Sequence, residues 1–201
     1  MPYTYVQLTI YIIVINIGIF LLNLLNNVVG FTLAMNPLLT VAEGYFWQPL
    51  SYMFMHSDPW HLAFNLLFLF FIGFDVEKRM GSIQFGIFYI LSGLGAGLLS
   101  LIVYLATGSL HVFLLGASGA IYSVMVAFAC FNPHAQMLVM GIIPVRAPFL
   151  VLGYAGISVI MGLGGSSGVA HFTHLFGLLI GFVWMLVRYR INLIAIIAGK
   201  E

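Results

Sequence analysis

Six apolar segments dominate this chain and leave it one kind of fold. They run near Tyr5 to Leu25, His61 to Phe74, Phe85 to Leu105, Ser118 to Phe131, Phe149 to Leu163 and Ala170 to Val187. A spanning helix takes about 20 apolar residues, fewer when other helices surround it. In lipid every backbone polar group must be bonded internally, so such segments fold as helices. With 5% of 201 residues charged and 63% hydrophobic, a water-soluble surface cannot be built. The expectation is an all-α membrane protein, a bundle of six transmembrane helices forming one domain over 1–201. A net charge of +1 supplies no field for nucleic acid, which is excluded as a partner; membrane lipid is implied. The single cysteine, Cys130, rules out an intramolecular disulfide and reads as a small core hydrophobe. The first segment lacks a basic leader and a small-residue cleavage site, and is expected to be a retained helix.

The six basic residues set the orientation. Lys78 and Arg79 follow the second segment, Arg146 precedes the fifth, and Arg188, Arg190 and Lys200 follow the sixth. These junctions share one side of a six-helix chain, and the opposite connections contain no lysine or arginine. By the positive-inside rule both termini are cytoplasmic, while 26–60, 106–117 and 164–169 face outward. The connection over 26–60 is long and carries Tyr45, Phe46, Trp47, Tyr52 and Trp60, which suits a structured loop in the membrane interface.

The fourth segment is too short. Its 14 residues, Ser118 to Phe131, span roughly 21 Å at a rise of about 1.5 Å each, against a hydrocarbon core of about 30 Å. With Asn132-Pro133-His134 holding its cytoplasmic end, its outer end sinks below the surface. The irregular backbone before it then requires a water-filled cavity. At the floor stands Gly116-Ala117-Ser118-Gly119. A serine where a helix begins is either an N-cap or a nucleophile beside free N–H groups and the positive end of a helix dipole; the tetrapeptide leaves both open. The soluble hydrolase motif G-x-S-x-G is absent, since Ala120 replaces its last glycine.

Two other helices bring polar groups to the same depth. His174 lies about one turn into the sixth segment, followed by Gly177 and Gly181 on one face, which suits close helix approach. His61 and Asn65 form an i, i+4 pair at the outer end of the second segment. They can complete an oxyanion hole, or simply bond between helices. An ionisable residue inside a membrane is a functional candidate by default.

Together these residues resemble the rhomboid intramembrane serine proteases in their minimal six-helix bacterial form. Trp47, His56, the His61 to Asn65 pair, Glu77 with Gly81, Gly116-Ala117-Ser118-Gly119, and His174 with Gly177 and Gly181 fall in the family's order. The resemblance implies Ser118 as nucleophile, His174 as general base, and His61 and Asn65 as oxyanion donors beside the N–H of Ser118. Tyr122 would pack on the catalytic imidazole, with Gly116 and Gly119 giving a substrate backbone room. The implied substrates are transmembrane segments of other membrane proteins, cut at an outward-opening site in a bacterial inner membrane, with no cofactor and no metal. Gln48 stands where the family usually has arginine, which bears on how the outer loop is anchored. His171, three residues before His174, reads as a polar neighbour at the pocket mouth.

The acids restrict the mechanism. Asp75 and Glu77 lie at the cytoplasmic end, Glu43 and Asp58 in the outer loop and Glu201 at the terminus, so a Ser-His dyad is expected in place of a triad. An aspartyl protease would need two intramembrane aspartates and a zinc protease H-E-x-x-H; His56 to His61 reads H-S-D-P-W-H, a coincidence of spacing in a loop. The run Gly162 to Gly168 is expected to form a movable cap. Competing classes are a non-catalytic rhomboid-like chaperone or client-binding protein, which would usually lack the serine or histidine, and a solute transporter, which would want inverted repeats.

Overall fold

A computed structural model describes residues 5–139, 142–163 and 169–200 of the chain. Helix α1 (Leu8–Leu25) leads into the long connection expected to face outward, which holds α2 (Val28–Leu33), α3 (Pro37–Val41) and α4 (Gln48–Ser51), then a 3-10 turn at Tyr52–Phe54. Helix α5 (Pro59–Phe68) runs through a π turn at Leu69–Gly73 into α6 (Phe74–Met80). Next come α7 (Ser82–Thr107), α8 (Ser118–Phe131), the strands β1 (Gln136–Val139) and β2 (Ile143–Arg146), and α9 (Ala147–Leu163). Helix α10 (Val169–Trp184), a π turn at Met185–Tyr189 and α11 (Leu193–Ile197) complete the chain. The strands form an antiparallel ribbon with Gln136 opposite Arg146 and Val139 opposite Ile143.

Among the described residues four helical stretches are long and apolar enough to cross a membrane: Leu8–Leu25, Pro59–Met80, Ser82–Thr107 and His171–Tyr189. Ser118–Phe131 and Ala147–Gly162 are apolar but shorter. Large apolar side chains such as Leu22, Leu25, Phe71 and Ile102 point outward. Helix α8 is instead buried nearly all round, with Ala120, Val124, Ala127 and Ala129 in the core. The protein is therefore a mostly helical membrane protein with a short helix at its centre.

Helix packing in lipid gains little from the hydrophobic effect and depends on close approach and hydrogen bonding. Small residues on α8 and α10 supply the approach. A Cβ at Gly177 would clash with the carbonyl oxygen of Gly119, and one at Gly181 would stand 2.8 Å from Ser123 Cα. Between these contacts Ser123 Oγ donates to the Gly177 carbonyl at 2.5 Å. Gly119 marks the crossing with α7, since its Cβ would meet Ala96 Cβ and Thr173 Cγ2 at 3.1 Å. Ser100 and Thr173 are hydrogen-bonded at 2.7 Å, tying α7 to α10 one residue before His174.

The second apolar stretch continues past its expected end at Phe74 to Met80. The charged residues from Asp75 to Arg79 lie within this helical continuation. Asp75 and Arg79 pair across one turn at 3.1 Å, while Glu77 turns inward and is fully buried. Its carboxylate accepts from the N–H groups of Leu8 (2.6 Å) and Thr9 (2.9 Å), from Thr9 Oγ1 (2.7 Å) and from Ser82 Oγ. Gln7 before α1 offers no side-chain cap, so an acid from another helix satisfies the N–H groups that the first turn leaves open.

The outer connection is held by its own polar side chains. Asn36 caps α3 by accepting from Leu39 N at 3.0 Å, ahead of Pro37 in the first turn. Gln48 is buried: its Oε1 accepts from Asn36 N (3.1 Å) and Thr40 Oγ1 (2.9 Å), and its Nε2 donates to the carbonyls of Thr32 (3.3 Å) and Phe31 (3.4 Å). A neutral amide thus joins α2, α3 and α4 where the resemblance led us to expect a cation. The run 164–168, most of the expected cap, lies outside the described residues.

Candidate active site

Ser118 is the first residue of α8, and Ala117, at the cap position, has no side chain to cap with. The Ser118 hydroxyl does not fold back on its own helix; its Oγ lies 2.8 Å from Nε2 of His174. This contact follows from the close α8–α10 crossing, because Gly177 is one turn beyond His174 and meets Gly119, next to Ser118. Tyr122, one turn along α8, stacks on the His174 ring with centroids 4.3 Å apart and planes inclined by 12°. The His171 ring stands edge-on to His174 at 6.0 Å.

The backbone entering α8 is fixed by the outer connection. Met35 and Leu114 exchange two backbone hydrogen bonds of 2.8 Å, Asn36 Nδ2 donates to the Val112 carbonyl at 3.0 Å, and Gly116 N donates to the Tyr52 carbonyl at 3.0 Å. Gly116 has φ +117°, and a Cβ there would stand 2.7 Å from Nε2 of His61. The left-handed backbone and the imidazole together admit only glycine. His61 therefore comes against the loop beside Ser118, and Asn65, one turn further along α5, lies on the same face.

His61, Asn65, Ser118 and His174 line one cavity of about 340 Å³, whose walls are largely apolar and include Phe64, Phe68, Tyr122, Met125 and Tyr154. Phe68 and Tyr154 meet edge to face at 5.9 Å across the α5–α9 side. The Nδ2 of Asn65 donates one proton to the His61 carbonyl at 2.9 Å, and its second proton is not required by that bond. The first N–H groups of α8 have no partner within the helix, so the cavity floor combines a hydroxyl, an imidazole acceptor and converging donors. That set can perform nucleophilic attack on a carbonyl with stabilisation of the resulting oxyanion.

Three further residues gather around His61: His56, which the resemblance included without a role, and Ser57 and Asp58, which sequence reasoning gave none. His56 is fully buried; its Nε2 accepts from Ala117 N at 3.4 Å and its ring meets that of His61 at 5.0 Å. Burial, and secondarily the adjacent His61, pushes His56 down to about 4, so it stays a neutral acceptor. Asp58 caps α5, its Oδ1 accepting from Trp60 N (3.0 Å) and His61 N (2.9 Å). Its Oδ2 accepts from Ser57 Oγ at 2.7 Å, and the same Oγ lies 3.1 Å from His61 Nδ1. These contacts, the His61 N–H first and the Ser57 hydroxyl next, hold the Asp58 carboxyl below the ordinary carboxylate range. The signal was present as Asp58-Pro59, a capping residue followed by proline in the first helical turn, three residues before His61.

Residues 43–191 match the Rhomboid domain. RHOMBOID-like protein 2 of Arabidopsis thaliana is 33% identical over 142 residues, covering 71% of this chain and 42% of the relative. Rhomboid protease AarA of Providencia stuartii is 30% identical over 182 residues, covering 74% of this chain and 59% of the relative. Rhomboid-like protein 11, chloroplastic, of Arabidopsis thaliana is 31% identical over 190 residues, covering 89% of this chain and 65% of the relative. The match to each spans less than two thirds of the relative's own length.

Proposed function

The chain belongs to the rhomboid family, and from that premise we propose that it is an intramembrane serine endopeptidase that cleaves transmembrane segments of other membrane proteins with a Ser118–His174 dyad. The observation that carries this reading is the 2.8 Å contact between Ser118 Oγ and His174 Nε2, in a cavity shared with His61 and Asn65. A bacterial relative bears the name rhomboid protease. In the proposed bundle α8 and α9 join the four longer stretches as spanning elements of a single domain, the termini are cytoplasmic and the cavity opens outward. The membrane is that of a bacterial cell.

In the proposed cycle Ser118 gives its proton to His174 Nε2 as its oxygen attacks the scissile carbonyl. The oxyanion forms against the N–H of Ser118, His61 and Asn65. His174 then returns the proton to the leaving amine, which departs and leaves an ester on Ser118. Water from the outer side, deprotonated by His174, attacks the ester and releases the second product. Tyr122 keeps the imidazole plane fixed through both steps. The apolar wall of Phe64, Phe68 and Tyr154 suits a substrate that arrives from lipid.

Purified protein incubated with a transmembrane substrate tests the assignment. Cleavage is expected to vanish in Ser118→Ala and His174→Ala and to persist in His171→Ala, and a serine-reactive phosphonate should attach to Ser118. The rate should fall at acid pH as His174 is protonated and loses its lone pair. Undiminished cleavage by either dyad variant sinks the proposal. Failure of the parent protein to cleave while retaining transmembrane clients would favour the non-catalytic rhomboid-like reading.

A further inference from the structure

The proton on His61 can be located from its neighbours. An ionised carboxylate only accepts hydrogen bonds, and a serine hydroxyl has one proton to give. Asp58 Oδ2 lies 2.7 Å from Ser57 Oγ, so that proton goes to Asp58. The contacts with His61 N and the Ser57 hydroxyl hold the Asp58 carboxyl below its ordinary range, so at neutral pH it is ionised. Ser57 Oγ is then an acceptor toward His61 Nδ1 at 3.1 Å, and Nδ1 must carry a proton. In neutral His61 the other nitrogen, Nε2, is consequently bare. Yet Nε2 is the atom that faces the Gly116 backbone beside Ser118, where a donor would be wanted. A lone pair aimed at a developing oxyanion repels it.

We propose that Ser57 and Asp58 are positioning residues that hold the His61 proton on Nδ1, so that His61 serves the oxyanion only as its imidazolium, with Asp58 supporting that charge through Ser57. The inference rests on the protease reading. The second proton, on Nε2, comes from the outer water and is shared with the oxyanion as a hydrogen bond without leaving the ring. The titratable groups around His61 are His56 in the outer loop, His174 across the cavity, Tyr122 and Tyr154 in its wall, and Asp58 at the start of its own helix. Among these Asp58 is the carboxylate, so the support for a cation comes from it. Both Ser57 and Asp58 are exposed, which makes the effect modest and screened by salt.

Two measurements on the full chain test this. In ¹⁵N-histidine spectra, with His61 assigned by its loss in His61→Gln, the neutral ring should be protonated at Nδ1 and bare at Nε2. In Ser57→Ala the Nε2–H form should appear. The cleavage profile of the parent should carry an alkaline limb where the imidazolium is lost. Asp58→Asn keeps the helix cap, but its amide nitrogen donates to Ser57 Oγ and frees the Ser57 proton for His61 Nδ1, so the Nε2–H form should appear there too and the alkaline limb should be lost, with KM unchanged. Ser57→Ala should erase the limb, because neutral His61 can then donate from Nε2, and Ser57→Thr should restore it. The acid limb, set by His174, stays in place in all of them. A parent protonated at Nε2, or variants that lower activity equally at every pH, would overturn the inference while leaving the protease reading intact. Cleavage surviving in Ser118→Ala would instead remove that reading.

Discussion

Replacing Gly177 by alanine tests whether the α8–α10 contact sets the chemistry. The added Cβ would lie deep inside the contact distance of the Gly119 carbonyl oxygen and stand 3.3 Å from Tyr122 Cβ. Since the obstacle is backbone, no side chain can rotate away, and relief requires the helices to part. Carbon and oxygen atoms settle at about 3.5 Å, which asks for a local separation on the order of 1 Å. His174 is one turn from Gly177 and Ser118 adjoins Gly119, so most of that movement passes into the 2.8 Å dyad and takes it beyond hydrogen-bond range. Misplacement of about 1 Å costs roughly 100-fold in rate, and the overpacking costs about 1–3 kcal/mol of stability. The assay is kcat/KM for a transmembrane substrate in liposomes, paired with thermal unfolding of the same samples. Gly153→Ala and Gly156→Ala on α9 are the controls, because nothing lies within 4 Å of a Cβ at either position, and both should retain parental activity. A Gly177→Ala protein that cleaves within threefold of the parent would refute the coupling of crossing to dyad.

Gln48→Ala should loosen the outer connection, costing about 2 kcal/mol for the hydrogen bonds it removes; limited proteolysis should then cut within 26–60 sooner, with the dyad chemistry largely retained at low temperature. Acid should destabilise the fold through His56, which is held at about 4 against an ordinary 6.5. Between those values the unfolded chain binds the proton and the folded one does not, so stability falls as pH drops, by on the order of 3 kcal/mol in the limit. Melting temperatures across that range should decline in the parent and decline less in His56→Gln. Tyr122→Phe keeps the ring that stacks on His174 and should work near the parental rate, whereas Tyr122→Ala frees the imidazole and should lose tenfold or more in kcat.

How far the sequence could be read depended on the kind of signal. Ser118–Phe131 was bounded by Gly116 on one side and Asn132-Pro133 on the other, and local punctuation of that sort survives into the structure. The apolar segment ends at Phe74 while the helix runs on to Met80, and nothing local reveals that Glu77 answers the N–H groups of Leu8 and Thr9, 69 and 68 residues away. Helices α2 to α4 are too short for periodicity to register, and the ribbon of β1 and β2 is too short for alternation to stand out. At the site, Ser118, His174, His61 and Asn65 are legible as polar residues at one depth of apolar helices, whereas Tyr122 is legible only through the family resemblance. Ser57 and Asp58 are not legible, because an exposed polar pair in a loop looks like ordinary solvation until distances give each proton one place to go. His56 entered only through the family resemblance and without a role, and the structure has it accept from the backbone one residue before Ser118.

The acid that completes α1 also imposes an order on biosynthesis. Leu8 and Thr9 leave the ribosome far ahead of Glu77, and at about 5–20 residues per second the interval is roughly 3 to 14 s. Through that interval the N–H groups of Leu8 and Thr9 lack the acceptor that the folded protein gives them. A chain truncated before residue 77 should therefore hold its first helix less firmly, read as easier extraction of that helix from the membrane.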